Sequence, residues 1–352
     1  MVVSGSIAKA VYSRQMDIPS QQLPVLRRWM GSAPGHPLRR LMELPSPDPE
    51  VVYAWWRDPV LVVLEEILTV LEQAHPVGLE SIARTFRAFD DPSWDGMEKF
   101  LQHRAELVVA ALLAESGVPF RFNTTAGPDL LLDGAPTCAI EVSSRSPKSL
   151  FNLNQVLGEG LRARGFPDTL TITAEPIPPV EIRSQVRDAI VQQFLPPDGS
   201  PGVGRLRAMA APSRPDDGIP ASWVTVTRGG SGITSYSAPY DSPHMTALAQ
   251  SVATNVLRDK RKIRQSQALP TLLVVDVSRT DLPDLRCWEK TFERIWKPHD
   301  AFLGLAALVA DPNQRTPTLT FSINPYADPE HVAHLASGVS GCPAFGVLQD
   351  LI

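Results

Sequence analysis

Cysteine is scarce in this chain, charge is nearly balanced, and no apolar stretch is long. The three cysteines, Cys138, Cys287 and Cys342, are widely separated and odd in number. Neither a disulfide framework nor a paired-cysteine zinc site follows from that spacing. The longest apolar run, residues 301–310, falls far short of the roughly 20 residues a helix needs to span a bilayer. The opening Met1-Val2-Val3-Ser4-Gly5-Ser6 has no charged start followed by an apolar core, as a secretory signal would. These absences point to a soluble, cytoplasmic protein in a reducing compartment, without a membrane partner. A net charge of −5 gives no whole-chain field that would draw in nucleic acid. Any anionic partner must therefore be held by a local basic patch or by a metal.

What is present is enough apolar material for a core. Hydrophobic residues make up 43% and charged residues 20% of the 352 positions, which is the balance of a folded domain rather than a disordered chain. The length allows one large domain with additions, or two domains. Prolines number 34, so many loops are expected. Residues 1–50 are proline-punctuated and read as an arm. From there to residue 89 the pattern is helical, with Val51, Trp55, Val60, Val63, Leu64 and Leu71 at helical spacing. Trp55 and Trp56 read as helix-packing aromatics.

A longer helix is predicted from Ser93, whose hydroxyl can cap it, with Trp94, Met97, Leu101, Ala105, Val108 and Leu112 on one stripe and Gly117 as the stop. Glu106 lies at the edge of that stripe. Strands are predicted at 119–123, 129–132 and 138–144, then a helix at 149–163, a strand at 169–173 and a helix at 181–195. Residues 196–220, rich in proline and glycine, read as a long loop. Residues 223–227 and 233–237 flank Arg228-Gly229-Gly230-Ser231-Gly232 in the manner of a hairpin. A helix at 245–265 ends in Arg258, Lys260, Arg261, Lys262 and Arg264. Residues 272–277 read as a buried strand, 285–295 as a helix, and 303–309 and 319–323 as strands before a short helix at 330–336.

The chemistry concentrates at residues 98–155. Gly127-Pro128-Asp129 opens a leucine run, Glu141 interrupts an apolar run, and Asp133-Gly134-Ala135-Pro136 between them has turn chemistry. Antiparallel pairing through that turn sets Asp129 and Glu141 opposite one another, within roughly 5 Å at the side-chain roots. Two anions so placed need a cation. Ser143-Ser144 has neither a glycine elbow nor a nearby histidine, so triad hydrolysis is not indicated.

The order helix with Glu106, strand, strand with Pro128-Asp129, strand with Glu141-Val142-Ser143, and helix with Gln155 resembles the PD-(D/E)XK nuclease superfamily. The resemblance implies a restriction-endonuclease-like α/β fold with a mixed central sheet flanked by helices. A helical N-terminal region would occupy 1–92 and the nuclease-like domain 93–352, with its core at 93–175 and a C-terminal sheet extension at 221–345. It also implies a Mg²⁺- or Mn²⁺-dependent nuclease acting on nucleic acid, with DNA as the expected substrate, in defence or DNA processing. Glu106, Asp129 and Glu141 would hold the ion, and Gln155 would assist. The departure is Ser143, which stands where the family has its lysine. Three accounts of this remain open: Arg145 or Lys148 reaches back, Lys262 fills the place from the basic helix end, or the site has lost its chemistry. In the last case the protein would be a nucleic-acid-binding or assembly subunit. Arg258, Lys260, Arg261, Lys262 and Arg264 are the candidate phosphate contacts. The N-terminal region is available for a homodimer or a partner protein.

Overall fold

Two apolar runs far apart in sequence carry the architecture. Ala139–Ser144 (β3) and Thr271–Asp276 (β8) are buried along their whole length, as strands covered on both faces must be. They pair in parallel, from Ala139↔Thr271 to Ser144↔Asp276. Beyond β3 lie Leu130–Leu132 (β2) and Phe120–Phe122 (β1), both antiparallel to their neighbours. Beyond β8, Gly304–Val309 (β9) continues in parallel and Thr318–Ile323 (β10) closes antiparallel. The protein is therefore α/β, with a mixed six-stranded sheet in the order β1-β2-β3-β8-β9-β10. This computed structural model describes residues 23–43, 57–92, 94–145, 148–166, 169–200, 202–229, 234–236, 243–278, 285–310, 317–346 and 348. The expectations for the arm at its first residues, for Trp55 and Trp56, for Ser93 and for the turn at 230–233 lie outside those residues.

Helices cover both faces of the sheet. On one face Trp94–Glu115 (α5) packs Leu107, Val109 and Leu113 with Ile140, Val142, Leu272, Val274 and Ala306. Gly117, at φ 66°, ends α5, and the amide of Val118 returns to the carbonyl of Leu113 at 2.9 Å. Behind α5 stand Pro24–Met30 (α1), Pro37–Glu43 (α2), Arg57–Ala74 (α3) and Leu79–Arg87 (α4). Glu65 of α3 accepts the amides of Val25 and Leu26 at 3.0 and 2.7 Å, which places a carboxylate on the positive end of α1. On the opposite face Pro243–Leu257 (α8) and Leu285–Phe292 (α10) pack against Leu273, Val275, Leu305 and Ala307.

A second sheet lies between β3 and β8 in sequence. Leu170–Glu175 (β4), Arg205–Ala211 (β5), Ser222–Arg228 (β6) and Thr234–Tyr236 (β7) form it in the order β5-β6-β4-β7. Lys148–Ala163 (α6) and Ser184–Phe194 (α7) pack Leu153, Leu157, Ile190 and Phe194 on Ile172, Val224 and Val226. Lys260–Ser266 (α9) and Pro329–Gly338 (α11) complete the elements used below.

Several sequence expectations change. The strand expected at 169–173 is β4, which joins the second sheet and not the central one. Of the strands in the region read as an extension, β8 and β9 form the middle of the central sheet and β10 its edge. The expected loop at 196–220 contains β5, an edge strand whose alternating exposure, with Arg205 and Arg207 outward, disguises it. No hairpin joins β6 to β7: β6 is already paired on both sides, by β5 and β4, so β7 pairs in parallel with the far edge of β4. The single helix expected at 245–265 is two, α8 and α9. Among the described residues no helix is long and apolar enough to cross a membrane, and Cys138, Cys287 and Cys342 are buried and outside any disulfide.

The aromatic cluster behind α5 offers a test of this packing. Phe86 is fully buried, with ring centroids 5.2 Å from Phe100 and 5.5 Å from Trp29. Phe86→Ala should cost about 3–5 kcal/mol, whereas Val156→Ala, at an exposed helix position, should stay within about 0.5 kcal/mol. Chemical denaturation compares the two, and indistinguishable midpoints would contradict the assignment of the core.

Candidate active site

Strand β2 is paired with β3 for only two residues, Leu130↔Ile140 and Leu131↔Ala139. The register, carried one place further, sets Asp129 opposite Glu141, as the turn chemistry predicts. There the ladder opens. The amide of Val142 has no strand partner on that side and donates instead to Asp129 Oδ2 at 2.7 Å. Pro128 and Gly127 turn the chain away, and the Asn123 side chain holds this turn by donating to the carbonyl of Pro128 at 2.8 Å.

Three acids act on one another electrostatically at the opening. Glu141 is 3% exposed. Burial pushes its carboxyl above the usual range, Lys262 pulls the other way, and Glu106 adds to the rise. Asp129 is pushed well above the ordinary aspartate range, first by desolvation and then by the charges of Glu106 and Glu141. Glu106, on α5, has its Oε2 3.2 Å from His103 Nδ1, one helical turn earlier.

The cation is Lys262. Its ammonium donates to Glu141 Oε1 and to the carbonyl of Val142, the latter at 3.3 Å. It arrives because α9 begins afresh after α8. Asp259 is the cap of α9: its Oδ1 accepts the amides of Arg261 and Lys262 at 2.9 and 3.4 Å. Arg145 Nη2 stands 3.5 Å from the other oxygen of Asp259. At the far end of α9, Gln265 donates to the carbonyl of Gly127 at 3.1 Å. The short helix is thus tied at both ends to the segments that carry the acids. The basic side chain beside Glu141 thus comes from position 262.

The remaining predicted residues are distributed as follows. Ser143 is buried on the same face of β3 as Glu141, and no described hydrogen bond joins its hydroxyl to the acids. Ser144 donates to Asp276 Oδ2 at 3.2 Å. Arg145 does not reach back to the acids; it engages Asp259, and burial lowers its pKa. The side chain of Lys148 lies outside the described residues. Gln155 is exposed and donates to Glu159 at 3.0 Å, because α6 packs on the second sheet and not beside β3. Arg258 pairs with Asp217 at 3.2 Å. Lys260, Arg261 and Arg264 remain exposed on α9. Sequence reasoning missed His103, Asp259 and Gln265. Asp259 carried a legible signal, since aspartate is poor in helix interiors and strong at caps.

Among the described residues no three acidic, imidazole or thiol groups are drawn together closely enough to hold a metal ion as they stand. The donor chemistry nevertheless fits a hard divalent ion. Glu141 Oε2 is buried without a hydrogen-bond partner, and the Asp129 carboxyl is raised first by burial and then by the charges of Glu106 and Glu141. The two raised carboxyls have a pH consequence. In the unfolded chain both carboxyls titrate near pH ~4, whereas in the fold their pKa values are raised. The native state therefore holds protons that the unfolded state has lost, so stability falls as pH rises through that window. In chelator, Asp129→Asn should melt higher than the wild type at neutral pH, with the gap closing toward pH ~4. A lower melting temperature at neutral pH would show that the charges are not crowded.

Comparison with protein-family models, with curated proteins and with solved structures found no match, so the chemistry of this site is read from its own side chains.

Proposed function

We propose that the protein is a metal-dependent nuclease of restriction-endonuclease-like fold that hydrolyses phosphodiester bonds, with DNA as the first substrate to test. The observation that carries this reading is the single opening in which Asp129, Glu141 and Lys262 meet while Glu106 is felt electrostatically from α5. Glu106, Asp129 and Glu141 would hold Mg²⁺ or Mn²⁺, which when bound supplies charge neutralisation at the phosphoryl oxygens and a more acidic water. Lys262 presents a positive charge beside Glu141, where it can orient a water molecule and offset the charge that grows on the phosphate. Asp259 and Arg145 hold the helix that delivers it. Lys260, Arg261 and Arg264, exposed on the same helix, suit contacts to the nucleic-acid backbone.

One observation favours a second reading. Lys262 already neutralises part of the acid cluster, and among the described residues no tight cage of ligands is formed. On that reading the lysine has replaced the ion, and the chain is a nucleic-acid-binding or assembly subunit.

Cleavage of single- and double-stranded DNA with Mg²⁺ or Mn²⁺ separates the two. Asp129→Ala and Lys262→Met should each lower the rate by about a hundredfold or more, and calorimetry should detect Mg²⁺ binding that Asp129→Ala abolishes. Cleavage by the Asp129→Ala protein at the wild-type rate would remove the acid cluster from the mechanism. Intact DNA binding without Mg²⁺ binding would establish the second reading.

A further inference from the structure

A polar cavity of about 450 Å³ opens where the start of α7 meets the ends of β5 and β6 and the outer face of α8. Its size is that of a small-ligand site, for which about 300–1,000 Å³ is usual. None of the residues assigned above to metal or to catalysis lines it.

Three features of its wall agree. Helix α7 runs for eleven residues with no acidic residue in its first turn and no side-chain cap on its N-terminus, so the amides of Ser184 and Gln185 are left facing outward. Arg214 is held in place: its Nη2 donates to Asn255 at 3.2 Å, and its backbone closes a bridge with Ile219 through bonds of 2.7 and 3.0 Å. Ser222 is only 2% exposed, lines the cavity, and has no described side-chain hydrogen-bond partner. It shares the face of β6 that carries Val224 and Val226, which pack toward Ile190 and Phe194 of α7. The partner strand bulges between Met209 and Ala211, directly opposite. Arg183 adds a second guanidinium beside the helix start, and Glu181, also on the wall, is the one acid among the described residues that line it; its charge acts on Arg145.

With the residue otherwise enclosed, a partner for the Ser222 hydroxyl has to come from the cavity side. Helix amides, two guanidiniums and that hydroxyl offer donors to an oxyanion from several directions. A carboxylate has two oxygens to offer, whereas a terminal phosphate has three and up to two negative charges. We propose that this cavity binds a phosphate monoester, with room beyond the phosphate for part of a nucleoside. The monoester can come from a free nucleotide or from the phosphorylated end of a nucleic acid. The site is independent of the nuclease reading.

The test is calorimetric titration of the full chain in chelator, so that no cleavage can occur. The ligands are inorganic phosphate, deoxyadenosine 5′-monophosphate, and one oligonucleotide with and without a 5′-phosphate. Deoxyadenosine monophosphate should bind, and Arg214→Ala should weaken it by about tenfold or more, the loss of a charge-assisted hydrogen bond. Ser222→Ala should weaken it less, and Asp129→Asn should bind as the wild type does. Tighter binding of the phosphorylated oligonucleotide than of its hydroxyl twin would identify nucleic-acid ends as the source, whereas equal binding of the two would identify free nucleotide. The proposal is overturned if none of the phosphate ligands binds. It is equally overturned if binding persists in the folded Arg183→Ala/Arg214→Ala double variant, with circular dichroism confirming the fold.

Discussion

A carboxylate sealed into the middle of a sheet dictates much of what surrounds it. Glu141 sits between Ile140 and Val142 on a strand buried throughout, where an unpaired charge would cost several kcal/mol. Its charge is met by Lys262, 121 positions later in the chain. The pair is not a surface ornament: the lysine side chain is 13% and the glutamate 3% exposed. The chain that leaves β3 to build the second sheet must return to lay α8 on the sheet and break so that α9 points back at β3. A continuous helix through Arg258 and Asp259 would carry Lys262 along the axis of α8 and away from the strand.

The break is maintained by a relay of polar contacts. Asp259 caps α9, Arg145 at the end of β3 engages the cap, and Gln265 ties the far end of the helix to Gly127, two residues before Asp129. The three segments that carry charge at the site are thereby positioned against one another rather than each against solvent. The same relay touches the second sheet's surroundings, because the charge on Glu181 acts on Arg145. Position in the fold, not position in sequence, decides which basic residue serves Glu141. Arg145 is four residues away along the chain yet serves as a holder, and Lys262 serves as the partner.

Local patterns made a large part of this legible. Apolar runs at 138–144 and 272–277 identified the two buried strands, and the turn between Asp129 and Glu141 gave their facing register. Lys262 was one of three basic residues, with Arg145 and Lys148, considered for the place beside Ser143, and sequence alone could not choose among them, since the choice depends on a helix break and a contact across the chain. The placing of Gln155 was not legible, because helix order along the chain does not reveal which sheet a helix packs on. Leu150, Leu153, Leu157 and Leu161 of α6 fit either sheet as a pattern, and in the fold they meet β4 and β6. The strand β5 escaped for a related reason, since an edge strand with arginines outward lacks the run of apolar residues that marks a buried one.

The charge balance at the opening argues for more than a lysine. Three carboxylates face one ammonium, with Arg261 contributing at a distance to Glu141. One ammonium meets one oxygen of one acid: Oε2 of Glu141 is left without a partner, and the Asp129 carboxyl is raised first by burial and then by the charges of the other two acids. A structural salt bridge evolved only to bury Glu141 would satisfy both of its oxygens and would gain nothing from placing Asp129 and Glu106 within electrostatic reach. The lysine accounts for one oxygen of one acid. On the proposed reading, the acid oxygens that Lys262 leaves unmet are the ones a divalent cation would take, and the lysine would stand beside that ion rather than in its stead.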